Sequence, residues 1–412
     1  MVMLMRLPCL CLFAALLPAA CSGTFSVTGD DDAGGDADAE TAPADAEIRP
    51  ESPDADAMPD VPGDDPSADE PPDDSGGPDS PDATDTTAEE APPPACFVTI
   101  EGGRFSDCAG SLRFIGVNIR GLTHYGEGSP LPYAPESDIE TNLAAAQTMG
   151  AEVVRVFAAF KDIDAAETGD RLENALEAAA SHGIRLDVAL TDFYATDFHP
   201  DGDDDFYQVD ALGYTVLNQA FFASGYRDNY LPLVLTLAGR FRDDPWIFCW
   251  ELGNEIKNVP DPEVFISFAS SAAGEIRAVD PNHLITGGLI STRSAAMSHD
   301  QAVRLYAALD FITVHSYNGD DAEDDSGLAA ELGIPFIVEE AGFSEGDRPS
   351  LVSGDMDKWF SRGSSGYMQW GFMATSYDNG DGDATFGMDR ALHSDWDGLF
   401  TVYSASAASL AW

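Results

Sequence analysis

Residues 243–258, DDPWIFCWELGNEIKN, carry an apolar run that stops abruptly on acids. Ile247, Phe248, Cys249 and Trp250 form the short continuous apolar block expected of a strand buried on both faces, with Trp250 in the core. Glu251, Asn254 and Glu255 follow at once. A buried strand that ends in carboxylates is either a capped structural corner or the rim of a reactive site, and the rest of the chain decides between them.

Outward from this stretch, apolar strands and amphipathic helices take turns. Strands are predicted near 114–118, 152–157, 184–190, 246–252, 284–289, 311–316, 335–340 and 366–371. Between them lie helical signals: SDIETNLAAAQTMG reads as a capping box from Ser137 to Glu140 with Gly150 as terminator, and DPEVFISFASSAAGEIRAVDP starts with Asp261 as cap and Pro262 in the first turn. Eight strand–helix units in one run predict a single closed (β/α)8 TIM barrel, a fold that commonly needs about 250 residues. A doubly wound sheet would need a glycine fingerprint after its first strand, which GVNIRG does not supply. Ahead of the barrel, CFVTIEGGRFSDCAGSLRF alternates and turns at Gly102-Gly103 as a small β-hairpin.

The chain has 412 residues and a formal net charge of −53, with 73 acids against 20 Lys and Arg. Such a field repels nucleic acid and anionic lipid. Residues 1–20, MVMLMRLPCLCLFAALLPAA, have one base and an apolar run too short to span a bilayer, the pattern of a secretory signal. Cys21 follows directly, and LLPAAC resembles the lipobox of bacterial lipoproteins, except that Pro18 occupies the place where Leu17 would be expected. A lipidated Cys21 and a cell-surface location are therefore expected. Residues 21–95 hold 23 acids and one base, Arg49, among Pro, Ala, Gly, Ser and Thr. They read as a disordered acidic tether, since they cannot bury enough apolar surface to offset the entropy of ordering. The barrel domain is assigned to 96–412. Cys96 and Cys108 can pair in an oxidising compartment, while Cys249 reads as a buried free thiol.

In a barrel of this kind reactive groups sit at the C-terminal strand ends. Here those ends supply Asn118, Arg155, Asn254 with Glu255, His315 with Tyr317, Glu339 with Glu340, and Trp370. Each alone has a plain structural reading as a cap, a rim ion pair or core packing. Together they form a complementary set: two carboxylates from different strands can flank one glycosidic bond, one as proton donor and one as nucleophile. An arginine and a tyrosine nearby would keep the nucleophile ionised, and burial beside a negative neighbour would raise the pKa of the acid.

The same residues resemble a known family. WELGNE, ending at Glu255, is similar to the acid/base motif of glycoside hydrolase family 5 and its clan; PFIVEEAGF resembles the nucleophile motif, HSY the sixth-strand pair, and YMQW the eighth-strand tryptophan. The two glutamates stand 85 residues apart, and the likeness runs from 96 to about 400. FIGVN, VVRVFAAFKD and the double glutamate resemble the β-1,4-mannanases within the family. The resemblance implies Glu255 as acid/base, Glu340 as nucleophile with Glu339 as its neighbour, and Arg155 hydrogen-bonded to the nucleophile. It also implies Asn254 at the sugar 2-hydroxyl, His315 and Tyr317 orienting the carboxylates, and Trp370 beneath the sugar at the cleavage point. Asn118 and Tyr194 are further candidates, Tyr194 as a subsite wall. Two departures stand out: Ala341 replaces the usual aromatic after the nucleophile, and Ile256-Lys257 replaces the usual Pro-Arg.

The expected protein is thus a secreted, retaining endo-glycosidase on β-1,4-linked plant polysaccharide, mannan first and cellulose second. A non-hydrolytic carbohydrate-binding surface protein is the alternative of another class, and transglycosylation would use the same residues. No cofactor or catalytic metal is implied. The acidic loop DNGDGD reads as solvated rather than as a calcium site. A polysaccharide or oligosaccharide partner is expected, with no nucleic acid, membrane contact only through the N-terminal anchor, and a monomeric state.

Overall fold

In the computed structural model the chain divides into two units, Met1–Thr84 and Asp85–Trp412. The structure describes residues 96–123, 136–158, 164–194, 204–211, 213–257, 261–319, 322–375 and 383–410, all in the second unit. The signal segment, Cys21, the acidic tether and all of the DNGDGD loop but Asp383 lie outside the described residues.

Eight parallel strands form one sheet: β1 (Phe114–Asn118), β2 (Ala151–Phe157), β3 (Arg185–Ala189), β4 (Ile247–Glu251), β5 (Leu284–Thr286), β6 (Ile312–Tyr317), β7 (Phe336–Gly342) and β8 (Gly366–Gln369). Each is followed by a helix: α1 (Glu136–Met149), α2 (Ala165–Ser181), α3 (Leu231–Phe241), α4 (Pro262–Val279), α5 (His299–Tyr306), α6 (Glu323–Leu332), α7 (Arg348–Ser361) and α8 (Trp396–Ser409). The spatial order is β5-β4-β3-β2-β1-β8-β7-β6, so β8 pairs with β1 and the run of strands curls into a (β/α)8 barrel. The seam between β5 and β6 is closed by single bonds instead of a ladder. Asp310 N donates to Ile285 O at 2.9 Å and His315 N to Ile290 O at 3.0 Å, while the Asp310 carboxylate takes up Ile285 N at 2.7 Å.

The strands are apolar on both faces because one face meets the helices and the other fills the barrel. The bottom of the barrel is sealed from the N-terminal side. The predicted hairpin is present and gains a third strand, giving an antiparallel sheet of Thr99–Glu101, Arg104–Asp107 and Gly110–Leu112. Gly102 and Gly103, at φ 59° and 76°, make its turn, a pair of left-handed conformations that suit glycine and match strand twist. Phe105 projects from this sheet into the barrel, its ring 5.1 Å from those of Phe248 and Phe311 and 6.5 Å from that of Phe114. The Cys96–Cys108 disulfide fastens the sheet at its edge, and Arg185 at the start of β3 grips Asp107 at 2.6 Å.

Helix boundaries follow local chemistry. Asp261 caps α4 by accepting from Glu263 N at 2.9 Å, with Pro262 in the first turn as predicted. α1 differs: it already includes Glu136 and Ser137, so Ser137 lies inside the first turn and not at the cap. The Ser137 carbonyl accepts the Thr141 hydroxyl at 2.7 Å, a bond of the helix interior.

Candidate active site

One irregularity in the sheet arranges the centre. Neighbouring residues on a strand face opposite sides, so Glu339 and Glu340 should not share a face. Between β6 and β7 the register runs from Val314 opposite Val338 to His315 opposite Glu340, skipping Glu339. On the β8 side, Glu339 and Glu340 together span the place of Met368 alone. This bulge turns both carboxylates inward, where each meets His315 and Arg155.

Arg155, fully buried on β2, is the hub. A guanidinium has five N–H donors, and here every one has an acceptor. Nε and Nη2 hold the two oxygens of Glu251 at 2.6 and 2.8 Å; Nη2 also reaches Asn254 Oδ1 at 2.8 Å. Nη1 reaches Asn118 Oδ1 at 3.0 Å and Glu340 Oε1 at 2.5 Å. The second Glu340 oxygen accepts the Tyr317 hydroxyl at 2.5 Å. Asn118 in turn donates to the Glu339 carbonyl at 2.8 Å, pinning β7 at the bulge.

On the other side of the site, the chain leaves β4 through a tight corner. Gly288, at φ 67°, passes so close that a Cβ would lie 2.0 Å from Gly253 O and 2.1 Å from Glu251 Oε1. Asn254 N donates to Thr191 O, its amide donates to Asp192 Oδ1 at 2.8 Å, and Glu255 then adopts a left-handed φ of 53°. That conformation is uncommon for a non-glycine residue and costs roughly 1–3 kcal/mol, which the surrounding bonds hold in place. It aims the Glu255 carboxyl at His315 Nδ1, 3.0 Å from Oε1. Oε2 lies 3.5 Å from Lys257 Nζ, and the Tyr194 hydroxyl bonds the same carboxyl while accepting from Lys257.

His315 therefore stands between the two glutamates, with Nδ1 also 3.2 Å from Glu340 Oε2 and Nε2 3.3 Å from Glu339 Oε2. Atoms of Glu255, His315 and Glu340 close to within 4.8 Å of one another. Both Glu340 oxygens already have donors in Arg155 and Tyr317, so this trio is occupied by protein cations and hydroxyls.

Charge distribution departs from the expectation. The Glu255 carboxyl is pushed up by burial, but the hydrogen bond and charge of His315, with Lys257, outweigh this and hold it at about 2. Burial would lower His315, yet Glu340 and its bonds to Glu255 and Glu339 raise it to about 10. Burial and the nearby Glu255 charge raise Glu340, against the pull of His315 and Arg155. Both shifts favour the proton on His315 over Glu255, because the imidazole expected beside the carboxylates lies within bonding distance of the acid.

Trp370 follows β8, anchored by its N–H to Ala341 O at 2.9 Å and by Nε1 to Asp383 Oδ2 at 2.9 Å, with its ring edge-on to Phe157 at 6.5 Å. Asn118, Arg155, Tyr194, Asn254, Glu255, His315, Tyr317, Glu339 and Glu340 are joined by hydrogen bonds and ion pairs in one constellation, and Trp370 reaches it through Phe157, whose ring lies 4.9 Å from the Arg155 guanidinium. Sequence reading assigned no role to Glu251, Asp192, Lys257 or Asp383. Glu251 carried a visible signal, an acid closing an apolar strand. Tyr214 was also passed over; its half-exposed ring packs edge-on against Tyr194 at 5.6 Å.

Carboxylate pairs gathered at the mouth of a (β/α)8 barrel are the working parts of glycoside hydrolases, and the chain falls in that class. The family model Cellulase (glycosyl hydrolase family 5) matches residues 115–381, well over half of its length, and the chain belongs to that family. Among sequence relatives, a probable mannan endo-1,4-beta-mannosidase C of Aspergillus terreus is 26% identical over 251 residues, covering 47% of this chain and 55% of that protein. Mannan endo-1,4-beta-mannosidase A of Podospora anserina is 24% identical over 287 residues, covering 57% and 74%. The chain thus spans about half the length of the first of these. An endo-1,4-beta-mannanase structure from Rhizomucor miehei superposes with a TM-score of 0.60 at 19% identity over 76% of this chain and 100% of that one, a likeness of fold.

Proposed function

We propose that the protein is a retaining endo-β-1,4-mannanase. The observation that carries the mechanism is the approach of Glu255 and Glu340 oxygens to within 4.8 Å of each other. Retaining enzymes hold their carboxyl groups about 5–5.5 Å apart, whereas inverting enzymes leave roughly 6.5–9.5 Å for a water. Mannan as substrate is supported by the names of the sequence relatives, with cellulose next in line.

Glu340 attacks the anomeric carbon as the glycosidic C–O bond breaks, and the departing oxygen takes a proton from Glu255. Water then attacks the same carbon, giving a proton to Glu255 and freeing the Glu340 carboxylate. Arg155 and Tyr317 keep Glu340 anionic and aimed. Glu255 must carry a proton for the first step, and His315 Nδ1, 3.0 Å from Oε1, is placed to supply it. Trp370 offers a flat apolar face to the sugar.

We extend the proposal to location: export, with a lipidated Cys21 and the acidic tether holding a monomeric barrel off the cell surface. Among the described residues no helix is long and apolar enough to cross a membrane.

The test is reducing-end release by the purified protein from galactomannan, glucomannan, a soluble cellulose derivative and xylan, with NMR of the first-formed anomer. Release from galactomannan with the β-anomer appearing first is expected. First appearance of the α-anomer would overturn the retaining mechanism, and release only from the cellulose derivative would overturn the substrate.

A further inference from the structure

Below the catalytic pair, three acids converge: Asp187 on β3, Glu251 at the end of β4 and Glu339 in the β7 bulge, with atoms within 4.8 Å of one another and none exposed. Their surroundings are short of donors. Arg155 spends its N–H groups on Glu251, Asn118, Asn254 and Glu340, and its Nε stays 3.9 Å from Glu339. Within this cluster His315 reaches only Glu339 Oε2, and Cys249 Sγ donates to Asp187 Oδ1 at 2.9 Å. The remaining ionisable groups that face the cluster, Tyr306 beyond Glu339 and Tyr230 beyond Glu251, add no cation. Two fully buried oxygens are left without a donor, Asp187 Oδ2 and Glu339 Oε1, although the two side chains are in hydrogen-bonding contact.

Two carboxylates cannot both ionise in such contact, and a buried acceptor with no donor is unfavourable. A single proton satisfies both oxygens. We propose that Asp187 is a neutral carboxylic acid at neutral pH, donating its O–H to Glu339 Oε1, and that it is a positioning residue which holds Glu339, and through it His315, in register with the catalytic glutamates. The proton belongs on Asp187 because Glu339 has both the Arg155 charge and a His315 hydrogen bond to favour its anion, whereas Asp187 has the Arg155 charge and a hydrogen bond from a thiol alone. The electrostatics agree: burial and the charges of Glu339 and Glu251 push Asp187 well up, while Arg155, His315 and Asp187 itself outweigh burial to bring Glu339 down. The resulting chain runs from Cys249 S–H to Asp187 and from Asp187 O–H to Glu339, which also accepts from His315 Nε2–H, the imidazole that stands between Glu255 and Glu340.

The protonation half of the proposal stands apart from the enzymatic reading, and only the positioning half rests on it. Infrared spectra of wild type and Asp187→Asn at pH 7, with H/D exchange, test the first without any substrate. A carboxylic-acid C=O band present in wild type and missing from Asp187→Asn is expected; identical spectra in that region would overturn the proposal. Asn keeps a neutral donor in place, so Asp187→Asn should turn over the most responsive polymer within about threefold of wild type with an unchanged pH profile. Asp187→Val removes the donor, and kcat should fall roughly ten- to a hundredfold with little change in KM and a displaced pH profile. A folded Asp187→Val with wild-type kcat and pH profile would refute the positioning role. Should Asp187→Val not fold, Asp187→Asn decides: a fall as large as that of Arg155 variants would refute it equally.

Discussion

Replacing Arg155 by lysine keeps the charge and removes the geometry. The guanidinium engages Glu251 through both oxygens, Asn118, Asn254 and Glu340, all without exposure to solvent. Lysine has three donors on one atom, so at least two of these five acceptors lose their partner. At about 1–3 kcal/mol for each buried group left unpaired, folding should weaken by about 2–6 kcal/mol. Over a domain of about 320 residues, at about 2.1 cal/mol/K of unfolding entropy per residue, that lowers Tm by roughly 3–9 °C. If the lost contact is the one to Glu340, the charge-assisted bond removed is worth about 1.5–3 kcal/mol, which corresponds to roughly a 10- to 150-fold fall in kcat/KM. Calorimetric or fluorescence melting and steady-state kinetics on the most responsive polymer read the two effects separately. A lysine variant that melts within 2 °C of wild type and keeps kcat/KM within about twofold would refute the donor accounting on which the site description rests.

Further outcomes are expected. Glu340→Ala and Glu255→Ala should each lower hydrolysis of natural polymer by several orders of magnitude, whereas Glu339→Gln should fold and retain more activity than either; loss confined to Glu339 variants would move the nucleophile by one residue. His315 is raised from 6.5 to about 10 in the folded state, so its contribution to stability is complete below about pH 6.5 and disappears as pH rises through about 10. The Tm of wild type relative to His315→Gln should therefore shrink between pH 6.5 and 10, and a constant difference would contradict the ion-pair assignment. Glu255, lowered to about 2, contributes above about pH 4.5 and loses that contribution as pH falls through about 2, so Glu255→Gln should be less acid-sensitive than wild type. Phe105→Ala, which empties the plug beneath the barrel, should cost about 3–5 kcal/mol with kcat preserved in the folded fraction.

Much of this architecture is legible along the chain. The eight strand positions lie within one to three residues of those observed, because a continuous apolar block bounded by helical periodicity is a local signal. The cap at Asp261 and the turn at Gly102-Gly103 are equally local, since each depends on one side chain or on the absence of one. The Ser137 capping box failed for a related reason: the pattern was present, but the helix had already begun at Glu136. Strand ends also named the site, since a polar residue closing a buried strand must either find partners or do chemistry. The sequence could not show that Glu251 shares Arg155 with Glu340, because they stand on β4 and β7 and meet only through a side chain from β2.

From the residues alone came the barrel and the polar groups at its strand ends, among them Glu255 and an acid near Glu340, while the resemblance to the family singled out Glu340 as the nucleophile. The barrel and the strand-end groups rest on periodicity and residue type, which need no knowledge of distance. Tertiary structure alone decided which face Glu339 takes, since a one-residue bulge depends on the register of two neighbouring strands. It also decided where the protons lie. A carboxyl's pKa reflects every charge and donor within a few ångströms, and in this site those neighbours arrive from β2, β4, β6 and β7, as far as 185 residues apart in sequence.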